Sequence, residues 1–285
     1  MGKRRFNLFA AINGAFLILL ALLTFYPLWH EISLSLSSSE QASRGGLFLW
    51  PRNLTFGAYG IVLRSEQLWL AYRNSIVITG AGTILSVFFT ATTAYPLVKS
   101  HLPGRRLFTG LILFTMLFSG GIIPHYLLVK QLGMINTLWS MIIPGMISAF
   151  NVIIMLNFFR SLPEEIEESA TMDGANPIRI LFTIIFPLSA PVLATVALWE
   201  AVGKWNNFFQ AFLYLNDKSL YTLPVLIREI IDGQQAESLT GKLVETSQES
   251  VIGTTIIVSV IPILLVYPFL QKYFTKGVLL GSVKS

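Results

Sequence analysis

Six apolar runs, at about 8–29, 75–98, 107–128, 138–159, 178–203 and 251–273, alternate with polar or mixed segments along the chain. Each run approaches the roughly twenty residues that a helix needs to cross the hydrocarbon core. The pattern predicts an all-α, polytopic membrane protein with about six transmembrane helices. Helix breakers are unevenly placed: Gly120, Gly121 and Pro124 fall near the end of the third run, and Pro187 and Pro191 lie inside the fifth. Broken backbone at membrane depth is tolerated where it packs on protein or lines a cavity, which assigns the fifth run to the interior.

One polar island, Ser161 to Pro187, separates the fourth and fifth runs. Ser161 followed by Glu164 has the spacing of a capping box, and Glu164, Glu165, Glu167 and Glu168 crowd the first turns, where the positive end of the helix dipole favours them. A short helix is expected to begin at Ser161. Gly174 can take the left-handed geometry that ends it, and Asn176-Pro177 then supplies the cap and first position of another helix. The island reads as helix, sharp turn, helix.

Composition agrees with the hydropathy pattern: 53% of residues are hydrophobic and 12% charged, with a mean hydropathy of +0.65. Lys3, Arg4 and Arg5 ahead of the first run resemble the start of a signal peptide. The run ends in Phe25-Tyr26-Pro27-Leu28-Trp29 rather than a small-residue cleavage site, so it reads as a retained anchor. Lys99, Arg105, Arg106, Arg160, Arg179, Lys272, Lys276 and Lys284 fall on the same side as the N-terminal cluster, while the short connection 129–137 opposite holds only Lys130. By the positive-inside rule both termini and the acidic island are cytoplasmic. The net charge of +5 follows in part from this bias and calls for no nucleic acid. There is no cysteine, and His30, His101 and His125 are too dispersed to propose a metal site. No internal repeat or linker divides residues 1–285, which are expected to form a single membrane domain carrying the island 161–187 and an outer loop 204–250.

Catalytic chemistry is not apparent. Gly203-Lys204 lacks the earlier glycine and the hydroxyl residue of a phosphate-binding loop, and no nucleophile and base stand in a recognisable constellation. A non-catalytic protein without a cofactor of its own is expected. Glu200, Lys204, Trp205, Asn206 and Asn207 follow the apolar part of the fifth run, and polar groups within or beside a span commonly line a pathway. Aromatic belts at the membrane interface give the same composition. The segment Leu213 to Glu249 is too long for a simple connector, with Gln234 and Gln235 at its expected tip. An ion-coupled secondary transporter is the alternative reading; it would place carboxylates inside the spans, where Glu200 is the conspicuous one.

The island also carries a pattern: Glu168-Ser169-Ala170, three residues, Gly174, nine residues, then Ile184-Ile185-Phe186-Pro187. This resembles the EAA loop of ABC importer permeases, with Ser169 in place of an alanine and Phe186 in place of a leucine. The resemblance extends over nearly the whole chain to the carbohydrate (maltose-type) permeases, in particular the shorter six-helix partner and the subgroup for polysaccharide-derived oligomers such as alginate. Its carriers are Trp50 to Tyr59, Asn74-Ser75, Ala94-Tyr95, Pro103-Gly104-Arg105, Leu132 to Thr137, Trp205 to Phe208 and the tail Lys276 to Lys284.

The resemblance implies a type I ABC importer permease fold in the bacterial cytoplasmic (inner) membrane. It implies a coupling helix docked on an ATPase dimer that binds ATP, with Glu164, Glu165, Glu168, Ser169, Ala170, Asp173, Gly174 and Ala175 at the contact. Gly281 and Lys284 would reach between the ATPase subunits. It further implies a homologous second permease, an extracytoplasmic solute-binding protein met by Gln234 and Gln235, and an oligosaccharide substrate moved inward by alternating access.

Overall fold

A computed structural model of the chain describes residues 8–232 and 247–282; Gln234, Gln235 and Lys284 lie outside them. Regular structure among the described residues is helical throughout. In chain order the helices are α1 (Leu8–Ser35), α2 (Ser39–Ser43), α3 (Gly57–Arg64), α4 (Glu66–Val98), α5 (Arg105–Leu117), α6 (Ile122–Gln131), α7 (Trp139–Ile142) and α8 (Ala149–Arg160). There follow α9 (Glu164–Met172), α10 (Pro177–Ile180), α11 (Phe186–Leu188), α12 (Ala190–Trp205), α13 (Phe208–Tyr214), α14 (Leu223–Ile231) and α15 (Gln248–Ser282). By internal packing the chain divides into two compact units, residues up to Leu68 with Leu226–Ile261, and Trp69–Val225 with Pro262 onwards.

In the first unit, α1 leaves Phe16, Ile18, Leu22 and Leu23 exposed, as suits a helix whose surroundings are apolar. Its far end is held. Trp29 Nε1 donates to the Leu49 carbonyl at 2.7 Å, and the Ser35 and Tyr59 hydroxyls meet at 2.9 Å. The connecting segment folds back on the end of α1 through Thr55 N to Leu36 O at 2.9 Å and Arg52 N to Ser37 Oγ at 2.9 Å. Gly253 brings α15 against α1, since a Cβ there would sit 3.1 Å from Glu31 Oε2 and 3.3 Å from the Glu31 carbonyl.

In the second unit, α4 is one continuous helix of 33 residues because its only proline, Pro96, falls in the last turn. Its first turns anchor an outer segment: Asn74 Nδ2 donates to the carbonyls of Ser219 at 2.8 Å and Tyr221 at 3.0 Å, and Ser75 Oγ accepts from Leu223 N at 3.0 Å. Asn136, in left-handed backbone with φ 59°, accepts through Oδ1 from Asn216 N at 3.0 Å and Asp217 N at 2.9 Å. Two of the resemblance motifs are thus structural clasps. The main core joins Ala91, Ala94 and Tyr95 of α4 to Met155 and Phe159 of α8, Ala170 of α9, and Val192 and Val196 of α12.

The crossings are less regular than hydropathy predicts. Among the described residues three helices, α1, α4 and α15, contain stretches long and apolar enough to span by themselves, and two further spans require a bent pair each. The third run breaks between α5 and α6 with a bend of 115°, where Gly121 adopts φ +84°. The fourth run, expected to be continuous over 138–159, is interrupted between α7 and α8, where Pro144 precedes Gly145 at φ +72°. This leaves α8 with 12 residues, too few to cross. The fifth run bends by 82° between α11 and α12. The sixth, expected to end near 273, continues as helix to Ser282, so Gly281 lies within α15.

Candidate functional site

The acidic helix α9 starts later than the capping-box spacing predicts. Pro163 occupies its N-cap with φ −59° and ψ 129°, and no side chain caps it. A proline disfavours helical backbone in the residue before it, so a helix cannot run from Ser161 through Leu162. Ser161 instead closes α8, its hydroxyl donating to the Phe158 carbonyl at 2.7 Å.

The other end of α9 follows the sequence expectation. Gly174 has φ +80°, and the backbone makes both bonds of a Schellman stop, Gly174 N to Thr171 O at 3.0 Å and Ala175 N to Ala170 O at 3.0 Å. Asn176 then caps α10 by accepting from Arg179 N at 2.8 Å, with Pro177 at the first position. A π-helical turn over Leu181–Ile185 precedes Pro187, whose ring and missing N–H disturb the preceding turn.

The two faces of α9 differ. Glu164, Glu165, Glu168, Ser169, Asp173 and Gly174 are exposed, and so is Met172 at 89%. Ala170 was expected to lie at the contact with a partner; at 9% exposure it is packed in the chain's own core, with Ala175 against that core. Its small side chain lets α9 approach the membrane helices. Glu167 forms an ion pair with Lys99 just beyond α4, and Lys99 Nζ lies 4.8 Å from the centre of the Tyr95 ring. Burial pushes the Lys99 pKa below its ordinary value, with the Glu164 carboxylate acting in the opposite direction. The back of the helix is clamped; the front is open and acidic.

A second polar cluster lies inside the helical packing. Glu200 Oε1 accepts from Asn151 Nδ2 at 2.7 Å, and Glu200 Oε2 stands 3.6 Å from Lys204 Nζ, both side chains being largely buried. The Lys204 stem crosses α4 at Gly82, where a Cβ would come within 2.6 Å of Cδ. Charged groups removed from water persist when paired and hydrogen-bonded, and this cluster supplies both.

Residues 67–280 match the family described as the binding-protein-dependent transport system inner membrane component. The chain belongs to that family. The permease is 41% identical over 281 residues to Protein LplC of Bacillus subtilis, covering 98% of this chain and 95% of that one. It is 40% identical over 282 residues to the polygalacturonan/rhamnogalacturonan transport system permease protein YtcP of the same organism, covering 98% and 99%. Among solved structures it resembles a chain of a bacterial ABC transporter involved in the import of the acidic polysaccharide alginate. The TM-score is 0.89 at 36% identity, covering 96% of the permease and 99% of that chain. The fold is that of an ABC importer permease.

Of the five residues expected along a substrate path, the permease joins only Glu200 and Lys204 directly. Trp205 is buried at 9% exposure. Asn206 Nδ2 donates to the Val202 carbonyl at 2.9 Å, and Asn207 caps α13 by accepting from Gln210 N at 3.2 Å. Both asparagines are engaged in shaping the turn between α12 and α13. Sequence reasoning missed Asn151, Gly82, Lys99 and Glu167 as members of these sites. An asparagine inside the apolar stretch Ala149–Arg160 was a usable signal, because buried amides need partners; Gly82 gave none.

Proposed function

We propose that the permease forms one half of a transmembrane pore that imports an acidic, polysaccharide-derived oligosaccharide, driven by ATPase subunits that dock on α9. The observation that carries the docking part is the asymmetry of α9: Ala170 and the Glu167–Lys99 pair hold its back to the membrane helices, while Glu165, Glu168 and Met172 project outward. A helix fixed on one side and free on the other can transmit a displacement. Its carboxylates suit charge-assisted hydrogen bonds with basic groups of a partner. In this reading α9 and both termini are cytoplasmic, a second permease completes the pore, ATP is bound by the ATPase subunits, and an extracytoplasmic binding protein delivers the sugar.

The acidic character of the substrate rests on the names carried by two relatives, which concern polygalacturonan/rhamnogalacturonan and alginate. Lys204 supplies a cation in the path, tempered by Glu200. The test is reconstitution with partner subunits and uptake of labelled oligogalacturonate or oligoalginate against a neutral oligosaccharide of equal length. Preferential uptake of the neutral sugar would overturn the substrate class. ATPase retention unchanged by Glu168→Lys would overturn the docking surface. Because the chain has no native cysteine, single cysteines at Glu168 and Asn216 report orientation by labelling from either side.

A further inference from the structure

At the end of the second unit that carries α9, a cavity of about 740 Å³ opens between the start of α5 and the end of α8. Its lining includes Arg105, Arg106 and Arg160, together with Thr109, Gly110 and Leu113. None of the three guanidinium groups meets a carboxylate among the described residues. The Thr109 hydroxyl oxygen is buried and has no hydrogen-bond partner. A pocket with three uncompensated cations and an unused hydroxyl is built for an anion rich in acceptor oxygens, and phosphate matches the planar donor set of arginine.

The walls narrow the choice of anion. Beyond the arginines the face of α5 that lines the cavity presents Leu113, Met116 and Leu117 outward, at 43%, 52% and 78% exposure, and Leu113 carries that apolar surface into the cavity itself. A ligand with a phosphate at one end and hydrocarbon at the other satisfies both parts. A merely positive loop near the membrane surface would need no cavity and no buried hydroxyl.

We infer that this cavity is a binding site for the head group of an anionic phospholipid, with Arg105, Arg106 and Arg160 holding the phosphate, Thr109 donating to one of its oxygens, and the acyl chains lying along α5. Basic pockets between membrane helices bind such head groups in this manner. The site adjoins the connection from α4 to α5 and the end of α8, from which the chain enters α9. Lipid bound there would brace the elements on which α9 is mounted.

The test uses the full chain purified with its accompanying subunits and examined by native mass spectrometry after exchange into dioleoyl phosphatidylglycerol or dioleoyl phosphatidylcholine. Selective retention of phosphatidylglycerol is expected, and Arg105→Gln/Arg106→Gln/Arg160→Gln should lower its affinity on the order of a hundredfold. Gly110→Leu is the second variant. A Cβ at Gly110 meets nothing within 4 Å, so the larger side chain can project into the cavity while leaving the charges in place, and it should also weaken retention of the lipid. Equal retention of both lipids, or retention unchanged in both variants, would overturn the proposal. Displacement of phosphatidylglycerol by excess inorganic phosphate would reassign the site to a soluble anion. Loss of the ATPase from the arginine variant with lipid retention unchanged would reassign the arginines to a protein contact.

Discussion

Lys204 lies across Gly82, so closely that a Cβ at residue 82 would stand 2.6 Å from its Cδ and 2.9 Å from its Cε. The glycine therefore sets where the lysine stem runs, and with it the geometry of the Lys204–Glu200 pair. Gly82→Ala should push the lysine aside without unfolding α4, since the obstructing atoms belong to a flexible side chain. Oligosaccharide uptake is expected to fall severalfold while thermal unfolding moves by about 1 kcal/mol or less. Unfolding of the variant protein would instead identify Gly82 as a packing residue.

Removing the acid from the same cluster tests its electrostatics. Glu200→Gln can keep the hydrogen bond from Asn151 but leaves Lys204 largely buried without its counter-charge. The expected destabilisation is about 3 kcal/mol, measured by thermal unfolding in detergent. Glu200→Gln/Lys204→Met should recover most of it, because the second change removes the uncompensated cation. A double variant no more stable than the single one would contradict the pairing.

Asn136 combines left-handed backbone with two accepted hydrogen bonds. Asn136→Asp keeps both features, Asn136→Gly keeps only the backbone freedom, and Asn136→Ala keeps neither. Stability should fall in that order, with alanine about 3 kcal/mol below the parent from lost bonds and strain together. Alanine matching glycine would show that the backbone carries no strain there.

The stop after α9 can be tested through Gly174 in a similar way. Asparagine tolerates the left-handed region and should leave transport near normal, whereas Gly174→Pro can neither reach φ +80° nor donate to Thr171. Substrate-stimulated ATP hydrolysis should be lost in the proline variant at normal membrane abundance. Normal coupling would remove α9 from the mechanism as described.

The Lys99–Glu167 clamp has a pH signature. Because the folded-state pKa of Lys99 lies below its ordinary 10.5, the unfolded chain binds more protons between the folded pKa and 10.5. The contribution of Lys99 to stability consequently increases as pH rises through that window. Thermal unfolding of the parent relative to Lys99→Met should therefore improve on going alkaline. A difference that declines with pH would contradict the depressed pKa.

Local chemistry was legible where it acts locally. Gly174, Asn176 and Pro177 announced a stop and a restart, and the structure places both there. Ser161 misled because the capping-box spacing disregards Pro163 two residues on. The breakers around Gly121 in the third run and Pro187 in the fifth marked two of the breaks in the apolar runs, whereas the one in the fourth was missed, because an apolar proline-glycine pair such as Pro144-Gly145 does not interrupt the hydropathy. Clusters assembled across the fold were beyond reach, since the meeting of Gly82 with Lys204, or of Lys99 with Glu167, depends on how helices pack and leaves no mark in the spacing of either residue.

The continuity of α4 carries a mechanical consequence. Near one end Asn74 grips the segment around Ser219 and Tyr221, and just past the other Lys99 grips α9 through Glu167. Between these grips runs about 37 Å of helix at 1.5 Å per residue, with no kink to absorb slack. It is a lever with a handle at each end: under the proposed docking, a tilt imposed at α9 would be carried along α4 to the segment around Ser219 and Tyr221, with the helices packed on Ala91, Ala94 and Tyr95 as its fulcrum.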